Sequence, residues 1–163
     1  MLRTVGAAST PTGAAFDVVL LLHIGCVVVA LGSLLVTGTQ AWRARGGPAA
    51  RGSESVARYF RPGVNWPGRA LYAVLVLGFV LVAMSRGAYD LRDAFVEVGR
   101  VRWIVGVALA ELVVWPSERT LQRMVSGTWE RSPTLKIATR VAISAWGTCA
   151  VVLVAIVVMF QKP

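Results

Sequence analysis

Histidine, cysteine, lysine and acidic residues are all scarce in this sequence. Its 163 residues include one histidine, two cysteines, two lysines and eight acids. Each scarcity closes a class of function. One imidazole cannot supply bis-histidine haem ligation from a single chain, and there is no Cys/His cluster with zinc spacing. The patterns G-x-x-x-x-G-K-[ST], H-E-x-x-H and G-x-S-x-G are missing. A lone histidine without a neighbouring nucleophile and base cannot build a triad. Cys26 and Cys149 both fall in apolar stretches, where they read as small buried side chains rather than a disulfide. The sequence therefore predicts no enzyme, no cofactor and no metal.

What the chain has in excess is hydrocarbon. It is 56% hydrophobic, with a mean hydropathy of +0.64, and the apolar residues come in blocks. A helix needs about 20 mainly apolar residues to cross a bilayer core of roughly 30 Å. Four stretches are candidates, at about 16–40, 67–88, 101–124 and 138–160. The third is the shortest: its apolar run covers 103–115 and must borrow turns on either side. Arg3 before the first stretch imitates a signal peptide, but the apolar run is too long for one and is expected to be retained. The predicted fold is all-α: a polytopic membrane protein forming one four-transmembrane-helix bundle over 1–163.

The net charge is +9, from fifteen arginines and two lysines against eight acids. These cations cluster beside the spans, which points to membrane lipids, anionic ones included, and not to nucleic acid. With four spans, eleven basic residues (Arg43, Arg45, Arg51, Arg58, Arg61, Arg69, Arg119, Arg123, Arg131, Lys136 and Arg140) lie on one side. Six (Arg3, Arg86, Arg92, Arg100, Arg102 and Lys162) lie on the other. The positive-inside rule then predicts a cell-membrane protein with both termini extracytoplasmic and 42–65 as a basic cytoplasmic loop. Within that loop "SESVARYFRPG" reads as a short interfacial helix. Ser53 would cap it, Val56, Tyr59 and Phe60 would dip into the interface, and Arg43, Arg45, Arg58 and Arg61 would meet headgroups. Trp66, Trp103, Trp115 and Trp129 read as belt aromatics.

Polar groups inside apolar stretches are costly without partners, so they mark candidate sites. His23 and Cys26 project from one face of the first span at i, i+3. His23 is expected to be neutral and buried, with its partner a polar group of the fourth span or another subunit. Glu111, inside the third apolar run, should be protonated, paired or turned toward protein. Pro116 follows and either kinks that helix or starts a new one. In the fourth span Ala138 and Ala142, Ser144 and Thr148, and Ala145 and Cys149 form i, i+4 pairs of small residues that suit close helix packing.

Several of these segments resemble a known pattern. They are "LLHIGCVVVALGS" around His23, "WPG" opening the second span with Gly78 inside it, "WPSERTLQR" closing the third, and "WGTCAVVLVAIVVMFQKP" with its final Met159, Lys162 and Pro163. The set resembles a widespread family of small four-helix bacterial membrane proteins without established catalytic residues. Small actinobacterial proteins of this kind are similar to supercomplex association factors, accessory subunits of the respiratory assembly that joins cytochrome bcc to cytochrome c oxidase. That resemblance implies a non-catalytic accessory subunit bound to a larger integral membrane complex. Two other readings stand beside it. One is a small haem- or copper-binding redox protein using His23, Cys26 and Met159; the other is a proton-coupled carrier that works as a dimer through Glu111.

Overall fold

A mainly apolar stretch without proline sustains a long helix, and residues 14–44 make one of 31 residues, α1 (Ala14–Ala44). The structure is a computed structural model and describes residues 13–46, 49, 53–85, 94–127 and 131–160. After α1 come a short helix α2 (Glu54–Tyr59), α3 (Trp66–Met84) and α4 (Ala94–Leu109). A π-helical turn (Ala110–Val114) joins α4 directly to α5 (Trp115–Ser126), and α6 (Arg131–Phe160) ends the described fold. The described residues contain no strand. Among the described residues, three helical segments are long and apolar enough to cross a membrane: Ala14–Ala44, Trp66–Met84 and Thr134–Val158. The α4–α5 helix is not a fourth by the same measure, because its apolar residues are divided by Glu97, Arg100, Arg102 and Glu111 and end before the polar α5.

Starts and breaks follow local chemistry. Asn65 caps α3, accepting from the Gly68 N–H at 3.3 Å, and Pro67 sits in the first turn where no donor is lost. Pro116 stands in the first turn of α5, directly after a π-helical turn. A proline ring collides with the carbonyl four residues back, here Leu112. The π turn absorbs this conflict: the Trp115 N–H reaches Ala110 O, and the helix then continues to Ser126.

α1 is the central packing element, lying against α3 on one side and α6 on the other, while α4 packs mainly on α6. The α1–α6 seam is made of small side chains. Ala30, Leu34, Thr37, Gly38, Ala41 and Ala44 recur at three- and four-residue spacing on α1. Ala138, Ala142, Ala145, Cys149 and Val152 do the same on α6, and all are buried. The backbones of α3 and α4 touch little, and large side chains fill the gap. Trp103 is buried there, its indole N–H donating to Leu71 O at 3.1 Å. Trp115 is buried beside it, with Tyr72 at 5.6 Å between ring centroids. Neither tryptophan is a membrane-belt residue. Trp66 is exposed at the start of α3, and Trp129 lies outside the described residues.

The short helix also departs from expectation. Val56 and Phe60 do not dip into lipid; both are fully buried against Ala41, Ala44, Leu121, Ala138 and Val141. α2 therefore closes one end of the helix packing as a lid, with Ser53 at its N-cap position. Burial of one phenylalanine and one valine contributes roughly 3–6 kcal/mol toward holding α2 against the core.

Gly38 marks the tightest point of the α1–α6 seam. A Cβ there would run into the indole of Trp146, whereas Gly25 and Gly32 have nothing within 4 Å. Gly38→Ala should lower stability by about 1–3 kcal/mol through overpacking. Gly25→Ala should change the detergent-solubilised melting midpoint little. Equal midpoints for both variants would contradict the packing described here.

Candidate functional site

The polar side chains of four segments meet at the end of the fold where α1 stops and α3 begins. Asn65, the chain's only asparagine, is the hub. Its Oδ1 accepts from Ser33 Oγ at 3.2 Å and from the Gly68 N–H. Its Nδ2 faces Glu118 Oε1 at 3.1 Å, Thr37 Oγ1 at 3.3 Å and Tyr59 Oη at 3.3 Å. An amide has two hydrogens for these three acceptors. The hydroxyls of Thr37 and Tyr59 relieve the shortage by bonding each other. The cluster thus ties α1, the lid α2, the α3 cap and α5 together.

Glu118 is the unusual member, a carboxyl only 3% exposed. It lies past Trp115, beyond the apolar part of its helix. Burial raises its pKa, while the Asn65 amide and the guanidinium groups of Arg69 and Arg119 pull it down. Burial likewise raises the Tyr59 phenol, against the bonds from Thr37 and Asn65. A cleft the size of a single water molecule opens beside Glu118, lined by Gly63, Val64, Asn65, Arg69, Trp115, Arg119 and Gln122. No nucleophile–base pair occurs in this cluster. Its geometry is that of a hydrogen-bonded lock.

Arg69 connects this lock to the outer wall. Its guanidinium lies 3.5 Å over the Trp115 ring, a cation–π contact. Its Nη1 stands 3.5 Å from Glu111 Oε1, which also accepts from the Tyr72 hydroxyl. Glu111 sits in the π turn with its side chain 48% exposed. The partners of Glu111 are thus on α3, not at Arg119 further along its own helix.

His23 and Cys26 are both half-buried. The imidazole faces α3, not α6. A Cβ on Gly78 would stand 3.5 Å from His23 Cε1, and the Val74 backbone lies nearby on the same helix. Its Nδ1 is buried without a partner among the described residues. Cys26 and Cys149 are free and border the same apolar cluster. The described residues hold no group of three or more His, Cys, Asp or Glu that could bind a metal. The Met159 side chain, with Lys162 and Pro163, lies outside them. Ala138, Ala142 and Thr148 are buried and Ser144 half-buried; the two hydroxyls bond their own helix, to Ser144 O at 2.8 Å and Val141 O at 3.2 Å. Of the four arginines expected at headgroups, Arg43, Arg58 and Arg61 are exposed. Arg45 lies 3.8 Å over the Trp42 ring, and Arg58 pairs with Glu54 at 2.8 Å.

Sequence reasoning missed Asn65, Glu118, Thr37 and Tyr59. Ser33 and Thr37, at i, i+4 in an apolar helix, were the available signal, since each needs a polar partner from elsewhere.

Asn65→Ala removes both the α3 cap and the donor to Glu118. It should cost roughly 2–4 kcal/mol in detergent unfolding, against a smaller loss for Glu118→Gln, which keeps an acceptor. The pH dependence has a definite sign. The folded chain binds the Glu118 proton more tightly than the unfolded chain does. Stability from this group is therefore full below the ordinary carboxylate range and falls as pH rises from about 4 toward the raised value. Glu118→Gln should flatten that slope; an unchanged slope would show that Glu118 does not titrate in the fold.

Comparison of the chain with protein families, with curated proteins and with solved structures returned no match.

Proposed function

We propose that this chain is a non-catalytic accessory subunit that binds and stabilises a larger integral membrane assembly. On the resemblance of its motifs, the first candidate is the actinobacterial cytochrome bcc–cytochrome c oxidase supercomplex. In this reading the α4–α5 helix also crosses the bilayer, with its apolar part ending at Trp115, to give four spans. Both termini are extracytoplasmic, and the basic end carrying α2 faces the cytoplasm and its anionic lipids.

The observation that supports docking most directly is on α1. Leu21, Gly25, Val28, Gly32 and Leu35 are all exposed and recur at alternating four- and three-residue spacing along one outer stripe. The Cβ positions of Gly25 and Gly32 meet nothing within 4 Å. Small residues on an open transmembrane face admit a second backbone at short range. The glycines of the chain's own seams, Gly38 and Gly106, are filled by Trp146 and Val152, so Gly25 and Gly32 serve no internal contact.

That contrast supplies the test. Gly25→Leu with Gly32→Leu adds bulk where the chain itself has room. The purified variant should melt like the parent, but after gentle solubilisation it should lose most of the large assembly that co-migrates with the parent. A parent chain that migrates alone from native membranes would refute the accessory-subunit reading.

A further inference from the structure

The wall between α3 and the α4–α5 helix carries charge at a depth where hydrocarbon is expected. Glu111 stands in the π turn with its side chain 48% exposed, and Leu112 beside it is 74% exposed. Both internal contacts of Glu111, from the Tyr72 hydroxyl and from Arg69 Nη1 at 3.5 Å, are made through Oε1. Oε2 makes none with the described residues. Arg69 is not free to serve both oxygens. Its guanidinium is held 3.5 Å over Trp115 and lies within electrostatic range of Glu118, so one inward cation already faces two carboxyl groups. The outer surface of Glu111 is therefore an acceptor lacking a donor.

Depth distinguishes the possible donors. α3 has 19 residues, about 28 Å of helix, which is just short of the hydrocarbon thickness. Tyr72 lies six residues, about 9 Å, inside the Trp66 end. An aminophospholipid ammonium would have to leave the headgroup layer to reach that level, whereas a side chain of a neighbouring transmembrane helix is already there. Exposed Leu112, adjacent to Glu111, suits a helix surface and not a headgroup. The π turn that sets these two residues outward is a widened segment of a kind common at functional sites.

We propose that Glu111 is a docking point for a transmembrane helix of a partner protein, which offers a side-chain hydrogen-bond donor (hydroxyl, indole N–H, carboxamide or ammonium) to Oε2 and small residues beneath Leu112. This rests on the accessory-subunit reading and adds the surface and the chemistry of the partner.

Glu111→Leu separates the alternatives, because leucine suits lipid and cannot accept a hydrogen bond. Full-length parent, Glu111→Leu and Glu111→Gln chains would be purified gently from native membranes. The ratio of each co-purifying protein to the chain, and the bound lipids, would be measured by mass spectrometry; each isolated chain would be melted in detergent. The expected result is a drop of at least ten-fold in one partner for Glu111→Leu and a smaller drop for Glu111→Gln, with both isolated chains still melting cooperatively. Partner retention at the parent level in Glu111→Leu would overturn this inference while leaving the accessory role intact. So would a change confined to bound aminophospholipid. Failure of the parent chain to retain any partner would instead overturn the accessory reading itself. If Glu111→Leu does not fold, Glu111→Ala, which likewise cannot accept a hydrogen bond, decides: full retention of the partner counts against the proposal.

Discussion

Polar groups at the border of hydrocarbon have to find partners within protein, and here one carboxamide organises them. Asn65 receives Ser33 and the Gly68 N–H on its oxygen and faces Thr37, Tyr59 and Glu118 with its nitrogen. Without it, the α3 cap is lost and the hydroxyls of α1 and the carboxyl of α5 face each other with too few donors. The lid α2 depends on the same point, because Tyr59 joins the cluster while Phe60 and Val56 enter the apolar core beside it. In this fold, apolar burial sets which elements pack and the Asn65 cluster sets their register at one end.

The packing also divides the surface into two kinds of wall. Inner seams are filled to the last methyl: Trp146 occupies the space over Gly38, and Val152 stands 3.0 Å from a Cβ position on Gly106. The outer face of α1 is open and apolar, and the outer face of the π turn is open and polar at Glu111. A half-exposed carboxylate on a helix wall is costly if lipid surrounds it, and the proposed docking to a larger assembly would give it a partner.

Much of the α-helical layout was legible because hydrophobic blocks are local. The first, second and last spans stand out by length and composition, and Pro67 and Pro116 mark the features found near them. What escaped was long-range. Asn65 and Glu118 are 53 residues apart, and no periodicity connects a loop asparagine with a carboxyl in the first turn after a proline. His23 was expected to look toward the last helix or another subunit; it faces Gly78 because α1 packs with α3 on that side, and the order of helices around a bundle is not written in hydropathy. Val56 and Phe60 looked interfacial because an amphipathic short helix beside a membrane has the same pattern as a lid over a protein core. Pro116 was read as a kink or a start; an α-helix does start beside it, and the π turn that leads into it depends on backbone geometry and leaves no residue signature.

The central claim is that protein covers the outer stripe of α1 in the membrane. Photo-crosslinking in intact native membranes tests it most directly, with a photoreactive side chain at Val28 on that stripe. The account predicts a discrete adduct between the chain and a different, larger membrane protein. Labelling of lipid alone at Val28 would contradict it.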